Sequence, residues 1–305
     1  MQSRFVLLCL SLLVAFAHAT AHAADDAGRC ESVGSFTTNL VSGDAADVYH
    51  PLPARESVPV IAFLQGGLTD KSLYAGYASE LACAGYVVVV PNRFASLFPG
   101  QPPQIFTSQQ VINDVLATMV LSNANAGSPL FGTVDTDSLG VAGHSFGGAA
   151  ALFAIEGSCR PPFCFGLYER PPQLKAAVVF GVNTIGPGGA PIDVNTSAAP
   201  VAMIHGSVDG RATLARATAT FAVLERSKAF IKIDGLNHWG IIDVQNPAGN
   251  SPDPNVQTRP QGWGIAKTAK YSQLMFDAYL KGDNGALKKL RREQSESGID
   301  IQFDE

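Results

Sequence analysis

The stretch Gly143-His-Ser-Phe-Gly-Gly148 sets a single serine hydroxyl between glycines. An apolar run, Ser138 to Ala142, precedes it, and a small-residue helical segment, Gly148 to Ile155, follows. A strand that turns sharply into a helix lifts the intervening side chain above the sheet in a strained backbone conformation, and glycine flanks let the strand and helix approach closely. Ser145 is therefore the candidate nucleophile. Taken alone, the pattern is also that of an ordinary glycine-rich turn, so its partners decide what it means.

A serine hydroxyl attacks poorly at neutral pH. It needs a general base within hydrogen-bond reach, and the base needs a carboxylate to fix its tautomer. After an elbow of this kind the acid comes first along the chain and the histidine second. There are six histidines. His18 and His22 lie in a stretch with leader character, His50 precedes the elbow beside a proline, His144 is the serine's own neighbour, and His205 ends an apolar run. His205 is expected in the core or behind the site. Only His238 follows Asp209.

Asp209 closes the run Ile204-His-Gly-Ser-Val-Asp209, where a strand ends and a carboxylate can project from the C-terminal edge of a sheet, the edge at which ligands bind. Asp193 sits in a glycine- and proline-rich loop, and Asp234 and Asp243 stand too close to His238 in sequence. The alternative task for Asp209 is to cap a helix expected over 211–224. Charge developing on a substrate oxygen needs two backbone N–H donors. Phe146, directly after the serine, is expected to supply one, and the turn Gln65-Gly66-Gly67-Leu68 the other, through Gly67. This set implies attack of Ser145 on an ester carbonyl, with His238 as base, Asp209 stabilising the imidazolium, and water releasing the acyl group. Leu68 and Trp239 are the expected substrate contacts.

The N-terminus has the pattern of an exported chain. Met1 to Arg4 is short and basic, Phe5 to Phe16 is apolar but too short to span a bilayer, and Ala21-His-Ala23 is a small-residue cleavage pattern. Residues 1–23 are expected to form a signal peptide and 24–305 a single α/β domain, secreted or periplasmic, monomeric and without a stable membrane anchor. The formal net charge of −5 gives no support for a nucleic-acid partner. With no Cys-x-x-Cys and no histidine cluster, no structural metal is expected. Cys9 falls within the leader. Of the remaining cysteines, Cys159 and Cys164 flank a tight loop and are expected to pair, which leaves Cys30 with Cys83; the competing expectation is buried free thiols.

Strand and helix signals alternate, as in a largely parallel sheet flanked by helices. Strands are expected at 36–40, 47–50, 58–64, 86–90, 138–142, 176–180, 201–204 and 229–233, the first two antiparallel. Helices are expected at 72–84, 108–123, 148–155, 211–224 and 264–280. About twenty residues part the strands at 176–180 and 201–204, too few for a helical cap domain, so the site is expected to be open. The polar loop 246–262 is long enough to have a task of its own.

Three groups of residues carry a family resemblance. The first is Leu64-Gln-Gly-Gly with Leu81-Ala-Cys-Ala-Gly-Tyr-Val-Val-Val-Val-Pro91. The second is Gly143-His-Ser-Phe-Gly-Gly148. The third is His205-Gly-Ser-Val-Asp209 with Asn237-His-Trp239. From about Val41 to about Leu280 the chain resembles the chlorophyllase and bacterial cutinase (polyester hydrolase) branch of the α/β-hydrolases. The resemblance implies an α/β-hydrolase fold, cofactor-free cleavage of small-molecule or polymeric carboxylic esters, a triad on Ser145, Asp209 and His238, and an oxyanion pair on Gly67 and Phe146. Three positions depart from it. Gln65 precedes the oxyanion glycine, Phe146 stands where chlorophyllases carry a basic residue, and the 181–191 loop lacks a tryptophan. A catalytically silent binding protein, or an amidase or peptidase on the same fold, are the competing expectations. Silent members usually lack a triad residue, and all three residue types are present here.

Overall fold

The computed structural model describes residues 31–53, 57–98, 100–225, 227–292 and 296–305. The expected signal peptide and Cys30 lie outside these residues.

The strands run, in chain order, β1 Ser32–Asn39, β2 Ala45–Leu52, β3 Val58–Leu64, β4 Val87–Asn92, β5 Phe94–Ala95, β6 Gln104–Ile105, β7 Val134–His144, β8 Leu174–Phe180, β9 Val201–Gly206, β10 Lys228–Ile233 and β11 Ile299–Asp304. The helices are α1 Ala75–Cys83, α2 Val111–Ala124, α3 Phe146–Glu156, α4 Leu214–Val223, α5 Gln261–Leu280 and α6 Asn284–Arg291. Nine strands form one sheet in the order β1-β2-β4-β3-β7-β8-β9-β10-β11. From β4 to β10 neighbouring strands are parallel, while β1, β2 and β11 pair antiparallel at the edges.

The central strands are buried on both faces, which is why they read as continuous apolar runs. Alternation still sorts their side chains. Val60, Ala62 and Leu64 of β3 join one core cluster with residues of α2, α3 and α4, whereas Ile61 and Phe63 join the other with residues of α1 and α5. Both layers meet at β7, whose C-terminal end turns into α3. Between β8 and β9 the described chain is loop, with an isolated bridge from Ile185 to Pro191 and no cap helix.

Helix α4 starts at Leu214 rather than at residue 211, because the Asp209 side chain accepts the Arg211 and Ala212 amides and holds those residues in a turn. Four elements, β5, β6, α6 and β11, have no counterpart among the sequence expectations. Strand β11 pairs with β10 at the sheet edge, and α6 packs Ala286 and Leu290 inward before it. The two-residue strands β5 and β6 form a small hairpin beside the Gly66–Leu68 turn.

Candidate active site

Ser145 sits between β7 and α3 with φ 53° and ψ −118°. A non-glycine residue at positive φ costs on the order of 1–3 kcal/mol and persists only where its surroundings enforce it. Here the Ser145 N–H donates to the Phe180 carbonyl at 3.0 Å, and its own carbonyl accepts the Ala149 amide at 3.0 Å. The turn also depends on close backbone contact. A Cβ on Gly143 would lie 2.6 Å from the Gly147 carbonyl oxygen, and one on Gly147 would lie 2.1 Å from that of Leu64.

The topology brings the three side chains singled out from the sequence to one sheet edge. Ser145 Oγ is 2.9 Å from His238 Nε2, and His238 Nδ1 is 2.9 Å from Asp209 Oδ2. Asp209 Oδ1 accepts the Arg211 and Ala212 amides at 2.9 and 2.8 Å. Burial pushes the Asp209 carboxyl upward, but the hydrogen bond and charge of His238, with contributions from His205 and the Ala212 amide, outweigh this and hold it below the usual carboxylate value. One carboxylate thus both caps a turn and faces the imidazole. The other acids are occupied elsewhere. Asp193 is exposed, Asp234 lies 3.8 Å from Lys232, and Asp243 accepts the Gly76 amide. His205 is buried with Nε2 3.9 Å from Asp209 Oδ2, and burial lowers its basicity.

Two supports behind the site were not anticipated from sequence. Asp253, in the long polar loop, accepts the His238 amide at 2.9 Å and the Gly210 amide at 3.2 Å, so one buried carboxylate ties the backbone of the histidine to the turn bearing Asp209. The signal available was an aspartate between two prolines, Pro252 and Pro254, in a loop already notable for its length.

The second support is a buried relay. The His238 carbonyl can only accept, so His144 Nε2 donates to it at 3.0 Å. His144 Nδ1 then accepts from the Tyr74 hydroxyl at 3.0 Å, and that oxygen accepts the Gly66 amide at 2.8 Å. Burial, reinforced by the charge of His238, drives the basicity of His144 far down and keeps it neutral, as this tautomer requires. The relay links the Gly66 turn, the elbow and the His238 loop.

In the Gly66–Thr69 turn, the amides of Gly66, Leu68 and Thr69 donate to Tyr74, Ile105 and Gly66 respectively. The Gly67 N–H has no acceptor among the described residues. The Phe106 ring lies 2.7 Å from where a Gly67 Cβ would stand, so a side chain there would have to displace that ring. Phe146 is the first residue of α3, where backbone N–H groups have no intrahelical partner.

A cavity of about 280 Å³ opens over Ser145 and His238, lined also by Phe146, Phe163, Asn183 and Arg211. Phe163 rides on the loop closed by the Cys159–Cys164 disulfide and packs on Phe146 with ring centroids 4.7 Å apart. Cys83 is disulfide-bonded, and its expected partner Cys30 lies outside the described residues. Among the described residues no group of three or more His, Cys, Asp or Glu is placed to hold a metal, and no helix is long and apolar enough to cross a membrane.

The two expected substrate contacts are placed differently from that expectation. Trp239 is only 2% exposed and is absent from the cavity lining; it packs edge-on against His238 and His144 and forms a platform under the histidine. Leu68 is 37% exposed at φ 61°, next to the cavity but not on its lining, with its carbonyl accepting from Asn250. Trp263 is flanked by Arg259 and Lys267 and does not reach the cavity.

Comparison with curated proteins gives no match. Residues 18–163, which include the elbow and the Gly66–Gly67 turn, match the family model described as PETase, PET hydrolase-like. The family indicates a carboxylic ester hydrolase. By its fold the chain is an α/β-hydrolase, and over residues 18–163, just under half of its length, it is similar to the cutinase-like polyester hydrolases.

Proposed function

We propose that the chain is an exported serine carboxylic-ester hydrolase, with residues 1–23 as its signal peptide and residues 24–305 as one domain. Ser145 is the nucleophile, His238 the general base and then acid, and Asp209 the carboxylate that orients the imidazole. The observation that carries this reading is the continuous line Ser145 Oγ, His238 Nε2, His238 Nδ1, Asp209 Oδ2, at 2.9 Å in both contacts. His238 accepts the serine proton as Oγ attacks the ester carbonyl. Alcohol leaves with that proton, and water attacks the acyl-enzyme by the same route. The N–H groups of Gly67 and Phe146 receive the oxyanion, a contribution typically worth about 3–4 kcal/mol per donor.

Hydrophobic or bulky esters suit the surroundings. Phe106, Phe146, Phe163 and Phe153 form a chain of ring contacts leading from the Gly67 turn past the cavity. Phe165 and Leu167, just beyond Phe163, are 56% and 96% exposed. With no cap helix between β8 and β9 among the described residues, a polymer segment can approach as well as a small ester. A p-nitrophenyl ester series of rising acyl length, run beside a polyester film, tests the reading. It predicts turnover without added metal or cofactor, and release of acid from the film. No turnover of any ester, with cleavage of an anilide analogue, would replace it with an amidase.

The relay gives a separate expectation. Tyr74→Phe leaves His144 Nδ1 and the Gly66 N–H without their shared partner in a buried site, a loss of about 1–3 kcal/mol in stability. Because the same bonds set the Gly67 turn against the elbow, kcat should fall about fivefold with KM nearly unchanged, as expected from a small misplacement of reacting groups. Steady-state kinetics beside a thermal melt distinguish this from a purely structural role, which would lower Tm and leave kcat per folded molecule intact.

A further inference from the structure

We infer that the site takes esters bearing an anionic group, the half-esters of dicarboxylic acids, and that Arg211 selects them. The inference rests on the ester-hydrolase reading above and names a substrate class for that site.

Arg211 is the one Asp, Glu, Lys or Arg side chain on the cavity lining among the described residues. Arg211 is half-buried beside the rings of Phe146 and Phe163, where a guanidinium gains from an anionic partner. Acids on the protein do not supply one. Asp209 faces His238 and the Arg211 and Ala212 amides, and Asp253 is engaged with the backbone of Gly210, His238 and Asn255. The guanidinium forms no ion pair among the described residues.

What Arg211 does have is a mount. Its guanidinium stacks 5.2 Å above the Trp239 ring, and one Nη donates to the Ser251 carbonyl. A guanidinium carries five N–H donors, so most of the fork remains for a ligand. Asn183 lines the same cavity; its side-chain carbonyl accepts the Ile185 amide, which turns the NH₂ end into a second available donor. A held guanidinium with a neighbouring amide matches the planar, two-oxygen geometry of a carboxylate. Phe146 and Phe163 provide apolar walls for the body of the same molecule.

The substrate these groups describe has an apolar or aromatic body, an ester at Ser145 and a carboxylate toward Arg211. Water cleaves its acyl–oxygen bond to give the diacid and the alcohol. The carboxylate-bearing end of a partly hydrolysed polyester has this structure, so the reaction that supplies the substrate is cleavage of an internal ester bond.

Monomethyl terephthalate and dimethyl terephthalate form a matched pair for the test. In wild type, kcat/KM should favour the half-ester, and the preference should shrink as salt is raised. Arg211→Gln should lower the ratio of half-ester to diester about tenfold, and Arg211→Lys should retain part of it. An unchanged ratio in Arg211→Gln overturns the inference, whatever the absolute rates. If wild type turns over neither of these nor any p-nitrophenyl ester, the function proposed above fails, and calorimetry with terephthalate decides the binding claim on its own; if only the p-nitrophenyl esters turn over, the half-ester inference fails and the ester-hydrolase reading stands. About tenfold weaker binding to Arg211→Gln upholds the anionic subsite, and equal affinity or no binding to wild type refutes it.

Discussion

Ser145→Ala is expected to lower kcat for an activated ester by about 10⁴- to 10⁶-fold while leaving the fold intact, because the triad acts as a unit and the hydroxyl is its only bond-forming atom. The substitution removes one oxygen from a residue whose backbone strain is set by the elbow, so thermal stability should change little or rise. His238→Ala should cost about as much, and the double variant little more than either single one. Residual activity should remain above water through the Gly67 and Phe146 donors. Rates on p-nitrophenyl butyrate for the single and double variants, with melts as controls, measure all of this. Additive losses would mean that the two residues act independently and that the proton path from Oγ to Nε2 is not the route.

Asp209→Asn carries the second large effect, and it separates the two tasks of that carboxylate. An asparagine oxygen can still accept the Arg211 and Ala212 amides, so the turn before α4 should survive. Its NH₂ would then face His238 Nδ1 and make that nitrogen an acceptor. The remaining imidazole proton would move to Nε2 and point at Ser145, leaving no base for the hydroxyl. A loss of about 10⁴ in kcat, with KM and Tm close to wild type, is the expected outcome. A variant that loses stability but keeps kcat would show that Asp209 serves only as a cap.

The fold was largely legible in the sequence because the parallel strands are buried on both faces. Val87–Val90 and Val201–Ile204 appear as short unbroken apolar runs for that reason. Strand β11 was missed although Ile299-Asp-Ile-Gln-Phe alternates as an edge strand should, since it lies beyond the helix that seemed to close the fold. The hydrogen-bonded line of Ser145, His238 and Asp209 was legible because chain order left a single histidine after Asp209.

The supports were not legible, and the reason is geometric. Tyr74 and His144 are seventy positions apart, and nothing in either neighbourhood marks them as partners. Asp253 acts through backbone amides, which leave no trace in residue type. Trp239 is expected at the substrate as apolar surface near His238; the turn instead sends its ring inward, where it backs His144 and His238 and carries Arg211 on its face. Sequence proximity to a catalytic histidine says little about which side of it faces the substrate.

The proposed chemistry depends on Ser145 being an activated nucleophile. Incubating the protein with a fluorophosphonate and mapping the adduct by mass spectrometry tests it most directly. One adduct per chain is expected, on Ser145, formed rapidly in wild type and abolished or greatly slowed in His238→Ala. A wild-type protein that hydrolyses esters yet carries no adduct on Ser145, or carries it on another residue, would contradict it.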